Sequence, residues 1–194
     1  MMKTATGDNG KLIGRRVAIL ATDGVEEDEL TGPREALDDA GAETTLINVS
    51  DKKIKSWKLT DWGKSFSPDM TLEEADPADF DALVLPGGVM NPDKLRMKPK
   101  AVAFVKAFFN ANKPVAAICH GPWLLAEANV ARGRKMTSWP SIKMDLINAG
   151  ARWVDQASVV DGNLVTSRKP DDIPAFNEAL IELLAEAAEP VGAR

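Results

Sequence analysis

The sequence predicts an α/β fold in which helices cover both faces of a mostly parallel sheet. Apolar segments typical of strands alternate with helical patterns along nearly the whole chain. These segments are continuous apolar runs, as strands buried on both faces require. A third observation concerns residues 117–121, AICHG, which have the form small-x-Cys-x-Gly directly after one of these runs. This form predicts a nucleophile elbow, in which a strand turns sharply into a helix.

The first half of the chain predicts a βαβ unit followed by a separate hairpin. Arg15–Ala21 is typical of a buried strand, and a helical pattern with acidic residues in its first turn follows it. Pro33 is predicted to restart a helix at its first position. Glu43–Val49 predicts the second strand. Residues 50–79 are polar and predict a short antiparallel hairpin.

The second half predicts four further strands and four helices. The strands are expected at Phe80–Leu85, Val115–Ile118, Ser158–Val160 and Leu164–Ser167, and the last two form a hairpin with a type I′ turn. The helices are expected at Pro99–Ala111, Gly121–Asn129, Pro140–Ala149 and Pro170–Ala188.

The composition is that of one globular domain over residues 1–194. Residues 1–14 are expected to be a flexible N-terminal extension, and residues 189–194 a tail. The net charge is −5 and no long basic block occurs, so nucleic acid is not an expected partner. No apolar run approaches the ~20 residues that span a bilayer, and the N-terminus lacks a secretory pattern. We expect a cytoplasmic protein without a membrane partner.

The chain has one cysteine and one histidine, and they are adjacent. A single cysteine cannot form an internal disulfide. A zinc site of the usual type needs more Cys and His ligands than one chain supplies. No metal or other cofactor is therefore expected.

Cys119 is the candidate nucleophile. An elbow cysteine at a helix N-terminus is expected to have a lowered thiol pKa, because the helix dipole stabilises the thiolate. The alternative is a buried structural cysteine in a core strand.

Two other strand ends predict partners for this cysteine. Pro86-Gly87-Gly88 follows an apolar strand, and the backbone N–H groups of Gly88 and His120 are oxyanion-hole candidates. Glu26 lies just after the first strand. Because the strands of a parallel sheet end at one edge, the Glu26 carboxyl is expected to face the sulfur and to share its proton. The acids that follow Glu26 are interpreted as helix-terminal charges.

Several segments together resemble the PfpI family, within the DJ-1/PfpI superfamily. They include DGVEEDEL, FDALVLPGG, NKPVAAICHGP, RGRKMTSWPSIKMDLINAGARWVD and VVDGNLVTSRKPDDIPAFN, and they extend from about residue 15 to 184. The resemblance implies a flavodoxin-like three-layer sandwich of the class I glutamine-amidotransferase type. It also implies a homodimer or a higher homo-oligomer.

The resemblance also maps the family's site onto this chain. The nucleophile corresponds to Cys119, the adjacent histidine to His120, and the strand-end glutamate to Glu26. The family's third triad acid, supplied by a neighbouring subunit in protease-like members, corresponds to Asp93. Here the chain departs from the family, because Asp is shorter than the usual Glu and the preceding loop is one residue longer. Trp123 is a second departure. With Trp139 it is either a wall of the substrate pocket or a packing residue.

Two functions remain open at this stage. The first is a stress-related enzyme in which Cys119 attacks a small carbonyl compound or a glycated group, as in glyoxalases, protein deglycases or intracellular cysteine proteases of the family. The second is a non-enzymatic redox sensor or chaperone-like stress protein in which Cys119 is reversibly oxidised. A glutamine amidotransferase is excluded because no histidine follows His120. A serine hydrolase is disfavoured because the elbow carries cysteine.

Overall fold

A computed structural model describes residues 10–187. The strands within this range are β1 Arg16–Leu20, β2 Glu43–Asn48, β3 Ile54–Lys58, β4 Asp61–Phe66, β5 Met70–Thr71, β6 Ala82–Leu85, β7 Val115–Ile118, β8 Lys135–Met136, β9 Arg152–Trp153, β10 Ser158–Asp161 and β11 Leu164–Ser167. The α-helices are α1 Glu27–Asp39, α2 Met90–Arg96, α3 Pro99–Asn110, α4 Trp123–Glu127, α5 Lys143–Asn148 and α6 Ile173–Glu186.

A seven-stranded sheet in the order β10-β11-β7-β6-β1-β2-β5 forms the middle of the fold. All neighbouring strands in it are parallel except β10 and β11, which form an antiparallel hairpin at one edge. The register places β1, β6 and β7 side by side, with Ile19 opposite Val84 and Leu85 opposite Ala117. The carboxyl ends of these three strands therefore meet at one edge of the sheet, where ligand sites of such sheets lie.

Successive residues of β1 point to opposite faces of the sheet, and each face is covered by helices. Val17 and Ile19 pack in the core beneath α1 and α6, whereas Ala18 and Leu20 pack in the core beneath α2, α3, α4 and α5. All four side chains are fully buried. The predicted mostly parallel sheet with helices on both faces is confirmed, and the fold is a flavodoxin-like three-layer sandwich.

The structure corrects two local predictions and adds elements that were not predicted. Pro33 lies inside α1 and does not begin a new helix. The hairpin turn after Asp161 has a positive φ at Gly162 and not at Asn163, so it is not the predicted type I′ turn. Helix α2 and strands β8 and β9 were not predicted. These elements are short, and α2 has a proline at its third position. Proline is not typical of a helix interior, so the segment lacks a clear helical pattern.

The chain is packed against the domain before its first strand begins. Leu12 is fully buried, and its N–H donates a hydrogen bond to the Ala40 carbonyl oxygen at 2.9 Å. At Leu12 the chain is thus held against the domain, inside the range 1–14 that the sequence predicts to be a flexible extension. The rest of that extension, residues 1–9, and the predicted tail, residues 189–194, lie outside the described residues.

Strands β3 and β4 form the predicted hairpin, which is tied to the start of α1 by a buried carboxylate. Glu27 Oε2 accepts hydrogen bonds from Ser56 Oγ at 2.8 Å and from Lys64 N at 2.7 Å. These bonds lower the pKa of Glu27 to about 2. A Cβ at Gly63 would collide with Glu27 Oε2 and Ser56 Oγ, so a larger residue there would displace these hydrogen-bonded groups. The hairpin thereby holds the strand-end segment before α1 in place.

Between residues 10 and 187, no helix combines the length and apolar character needed to cross a membrane.

Candidate active site

Cys119 occupies the sharp turn between β7 and α4 that the sequence predicted. Its φ is +62°, a left-handed conformation that is strained for a residue with a side chain. Two backbone hydrogen bonds stabilise this strained conformation. Cys119 N donates to Ser167 O at 3.1 Å, and Cys119 O accepts from Trp139 N at 2.9 Å. The turn also needs glycine two residues later, because a Cβ at Gly121 would lie 2.5 Å from Leu85 O. Strand, strained cysteine and helix form an elbow.

Glu29 is the carboxyl that faces the Cys119 sulfur. It is fully buried, and both its Oε2 and Cys119 Cβ border the same space beside the Gly87 Cα. Its Oε2 also accepts the Gly87 N–H at 2.9 Å. Oε1 is buried and has no hydrogen-bond partner among the described residues. It is therefore the oxygen that can carry a proton.

The predicted position of Glu26 at the sulfur is wrong. Glu26 is the N-cap of α1, and its Oε2 accepts the Glu29 N–H at 2.8 Å. Its carboxyl is half-buried, which raises its pKa, and its charge is one of the causes that raise the pKa of Glu29. Because Glu26 turns back to cap the helix, the residue three positions later takes the place beside Cys119.

Gly88 and His120 supply the backbone donors that the sequence predicted. Both N–H groups lie close enough to the Cys119 sulfur to favour its thiolate form, although burial still raises the pKa of the thiol. Gly88 has a φ of +76°, and a Cβ there would lie 2.3 Å from Gly24 O, so both conformation and space demand glycine. Gly87 is equally crowded, since its Cβ would lie 2.6 Å from Cys119 Cβ. An oxyanion hole formed by the Gly88 and His120 N–H groups stays a prediction.

Cys119 and Glu29 form a coupled pair of acids. Burial, and after it the neighbouring Glu26 charge, raise the pKa of Glu29 to about 8. Burial and the Glu29 charge likewise raise the pKa of the Cys119 thiol. The expected lowering of the thiol pKa is therefore reversed in the free protein. Helix α4 has only five residues, and its N-terminus does not outweigh the loss of water around the sulfur.

His120 lies against the sulfur. The distance from its Nδ1 to Cys119 Sγ is 3.2 Å, and its Nε2 lies 3.4 Å from Ser141 Oγ. Burial lowers the pKa of His120 to about 4, so the imidazole is neutral at pH 7. A neutral ring that donates from Nε2 to Ser141 presents an unprotonated Nδ1 to the thiol. His120 can then accept the thiol proton.

Asp93 does not reach His120 within the chain. It lies exposed in the first turn of α2, and no hydrogen bond or ion pair joins its carboxyl to another side chain among residues 10–187. In the described part of the chain, no carboxylate is thus hydrogen-bonded to His120 as the third acid of a protease-type triad. The contribution of Asp93 across a subunit interface stays a prediction.

Trp123 and Trp139 both lie against the His120 ring. The ring centroids are 5.2 Å and 6.0 Å from that of His120, and Trp139 is stacked on it. Trp123 also donates from Nε1 to Asp145 Oδ2 at 2.8 Å, as a packing residue would. Trp139 is 37% exposed and lines a shallow pocket with residues including Arg168. A pocket-wall role for either residue stays a prediction.

Comparison with known proteins shows the family to which the chain belongs. The DJ-1/PfpI family matches residues 15–183. The chain is 45% identical over 173 residues to protein/nucleic acid deglycase 2 of Escherichia coli, an alignment that covers 89% of this chain and 99% of that protein. It is 44% identical over 173 residues to general stress protein 18 of Bacillus subtilis, with the same coverage of both chains.

A solved structure shows the same fold. It is a two-domain protein of Anabaena variabilis that contains DJ-1/ThiJ/PfpI-like and ferritin-like domains, with 39% identity and a TM-score of 0.82. The match covers 93% of this chain and 51% of that protein, so the chain spans about half of its length. The chain belongs to the DJ-1/PfpI family. Its relatives named as deglycases and stress proteins support a stress-related enzyme of this type.

Sequence reasoning missed Glu29 and Asn91, which the structure places at the site. The signal for Glu29 was the pattern Glu-x-x-Glu at the start of a helix, in which the first acid caps the helix and the second enters its first turn. Asn91 gave no signal, because its partners are carbonyl and N–H groups of distant loops.

Proposed function

We propose that the protein is a cysteine-dependent enzyme that converts small carbonyl compounds, of the methylglyoxal type, by a glyoxalase- and deglycase-like reaction. One observation carries the proposal: a strained, buried Cys119 thiol is surrounded by a proton acceptor, a proton donor and two backbone N–H groups. These are His120 Nδ1, the Glu29 carboxyl, and the N–H groups of Gly88 and His120.

In the first step Cys119 Sγ forms a bond to the aldehyde carbon of the substrate. The thiol proton passes to His120 Nδ1, which is unprotonated at pH 7. The carbonyl oxygen develops negative charge beside the backbone N–H groups and takes the proton of Glu29, whose pKa of about 8 keeps it protonated at neutral pH. The product is a hemithioacetal on Cys119.

In the second step the Glu29 carboxylate removes the hydrogen from the former aldehyde carbon. The protonated His120 gives its proton to the neighbouring ketone oxygen, so that an enediol forms. Glu29 then returns the proton to the adjacent carbon while the hydroxyl proton of the former aldehyde carbon passes to His120, which leaves a lactoyl thioester on Cys119. Water then hydrolyses the thioester, so methylglyoxal and water become lactate and the thiol is restored. No net oxidant or reductant is needed, because the aldehyde carbon is oxidised while its neighbour is reduced.

Glycated amines enter the same sequence. In an aminocarbinol, formed by an amine and methylglyoxal, Cys119 displaces the amine, and the protonated His120 returns its proton to the leaving nitrogen. The hemithioacetal that results is the same. Peptide hydrolysis is less well supported, because Asp93 does not complete a triad with His120 inside the chain.

A redox-sensing function is the second candidate, and the buried Glu29 carboxyl favours it. A protonated carboxyl in contact with the sulfur could donate a hydrogen bond to an oxidised Cys119. Because the chain has no second cysteine, oxidation cannot be relayed into an internal disulfide. Oxidation would consume the thiol once, whereas catalysis uses it repeatedly.

The test is a direct assay of purified protein with methylglyoxal and, separately, with an aminocarbinol made from methylglyoxal and Nα-acetyllysine. We expect lactate to accumulate from both substrates, with release of free Nα-acetyllysine from the second. Absence of lactate from both substrates, with the protein folded and Cys119 reduced, would contradict the proposal.

The pH dependence of the reaction follows from two pKa values. Turnover needs a neutral His120, whose pKa is lowered to about 4, and a protonated Glu29, whose pKa is raised to about 8. The value of kcat/KM for methylglyoxal should therefore rise with pH through about 4, stay level near neutrality, and fall above about 8. A profile that keeps rising above pH 8 would instead show that simple ionisation of the thiol limits the reaction.

A further inference from the structure

Asn91 makes three buried hydrogen bonds between strand ends that form the site. It is fully buried near the start of α2. Its Oδ1 accepts the Thr22 N–H at 2.8 Å, just after β1. Its Nδ2 donates to Pro86 O at 3.0 Å and to Gly87 O at 3.1 Å, just after β6. One amide side chain thereby joins the ends of two neighbouring strands.

The bond to Gly87 O acts on the peptide that carries the Gly88 N–H. The Gly87 carbonyl and the Gly88 N–H belong to one planar trans peptide unit, so they point in opposite directions. Asn91 Nδ2 and Glu26 N, which lies 3.3 Å from Gly87 O, hold the carbonyl side. The N–H side faces the Cys119 sulfur and the Glu29 carboxyl. Fixing the carbonyl therefore fixes the direction of the donor.

No other side chain in the described part of the protein bonds to the Gly87 carbonyl. Glycine at two successive positions leaves this loop with little intrinsic preference for one conformation. The remaining bond to Gly87 O, from Glu26 N, is the longer of the two. The orientation of the peptide thus depends on the Asn91 amide.

We propose that Asn91 is a positioning residue that aims the Gly88 N–H at the sulfur and at the oxygen of the substrate. The proposal rests on the proposed function for its effect on turnover, but its effect on the Cys119 thiol is independent of any substrate. Asn91 touches neither the sulfur nor the reacting atoms. It acts only through the Gly87–Gly88 peptide.

The test compares Asn91→Ala with Asn48→Ala by the pH dependence of Cys119 alkylation with iodoacetamide. The Asn48 side chain is also buried, and among the described residues it bonds only Val49 and Lys52, so its loss is a matched structural control. We expect Asn91→Ala to raise the apparent thiol pKa by about one unit, since a hydrogen bond to the thiolate is weakened. Asn48→Ala should leave it unchanged. An unchanged thiol pKa in folded Asn91→Ala would overturn the proposal.

Turnover supplies the second measurement. In Asn91→Ala, kcat for methylglyoxal should fall by about 10- to 100-fold while KM changes by less than about threefold, because the donor acts on charge that develops in the transition state. Equal losses in both variants would mark a merely structural role and overturn the proposal. If the wild type shows no turnover, the proposed function fails and the alkylation result alone decides the role of Asn91. If Asn91→Ala does not fold, Asn91→Ser is measured in its place, with the same shift expected and Asn48→Ser as its control.

Discussion

Replacing Cys119 by serine is expected to reduce lactate formation from methylglyoxal by at least about 1,000-fold, because a hydroxyl is a far weaker nucleophile than a thiol. Serine is nearly the same size as cysteine, so the strained turn between β7 and α4 should be kept. The measurement is the initial rate of lactate formation by equal amounts of both proteins.

The control for Cys119→Ser is its thermal unfolding. We expect a midpoint within a few degrees of the wild type, since the backbone bonds of residue 119 to Ser167 and Trp139 do not involve the side chain. A folded Cys119→Ser protein that retains more than about a tenth of the wild-type rate would show that the thiol is not the nucleophile.

Replacing Glu29 by glutamine is expected to lower kcat for methylglyoxal by at least about 100-fold. The amide oxygen can still accept the Gly87 N–H, which in the wild type lies 2.9 Å from Oε2, so the loop after β6 stays in place. Glutamine cannot supply a proton to the substrate oxygen or remove hydrogen from carbon. Alkylation of Cys119 should still occur, which separates loss of proton transfer from loss of the thiol.

Glu26→Gln is the matched control, because the same change is made three residues earlier in the same helix turn. The glutamine oxygen can still cap α1 by accepting the Glu29 N–H. We expect kcat to stay within about threefold of the wild type. If Glu26→Gln abolished turnover and Glu29→Gln did not, Glu26 would be the proton carrier despite its place at the helix cap.

Much of the fold could be predicted because its strands are unbroken apolar runs. The bounds of β7 were predicted correctly, and those of β1, β2 and β6 to within two residues at each end. The elbow also follows from local pattern, since small residues on both sides of Cys119 are needed wherever a strand turns so sharply. Such features depend on neighbouring residues and are therefore visible in the sequence.

The acid beside the sulfur could not be assigned in the same way. Glu26 and Glu29 both follow β1, and only the exact start of α1 decides which carboxyl enters the site. The helix begins at Glu27, so Glu26 caps it and Glu29 is turned toward the sheet. A shift of one residue in the helix start would change this assignment, and helix starts are not determined so closely by sequence pattern.

The protonation of the thiol depends on long-range burial. The sequence shows that Cys119 precedes a helix, which favours the thiolate form. It does not show that only 6% of the residue is exposed, or that a buried carboxyl lies beside the thiol. Asn91 illustrates the same limit, since its partners at Thr22 and Gly87 come from loops far apart in the chain. Both properties follow only from the packed structure.

The central claim is that Cys119 acts repeatedly as a nucleophile on carbonyl compounds. The most direct test measures the lactate formed per protein chain from excess methylglyoxal, together with the mass of the intact protein at the end of the reaction. We predict many lactate molecules per chain and a Cys119 thiol that is unmodified after the substrate is consumed. Product that stops at or below one molecule per chain, with the cysteine oxidised or permanently modified, would contradict the account.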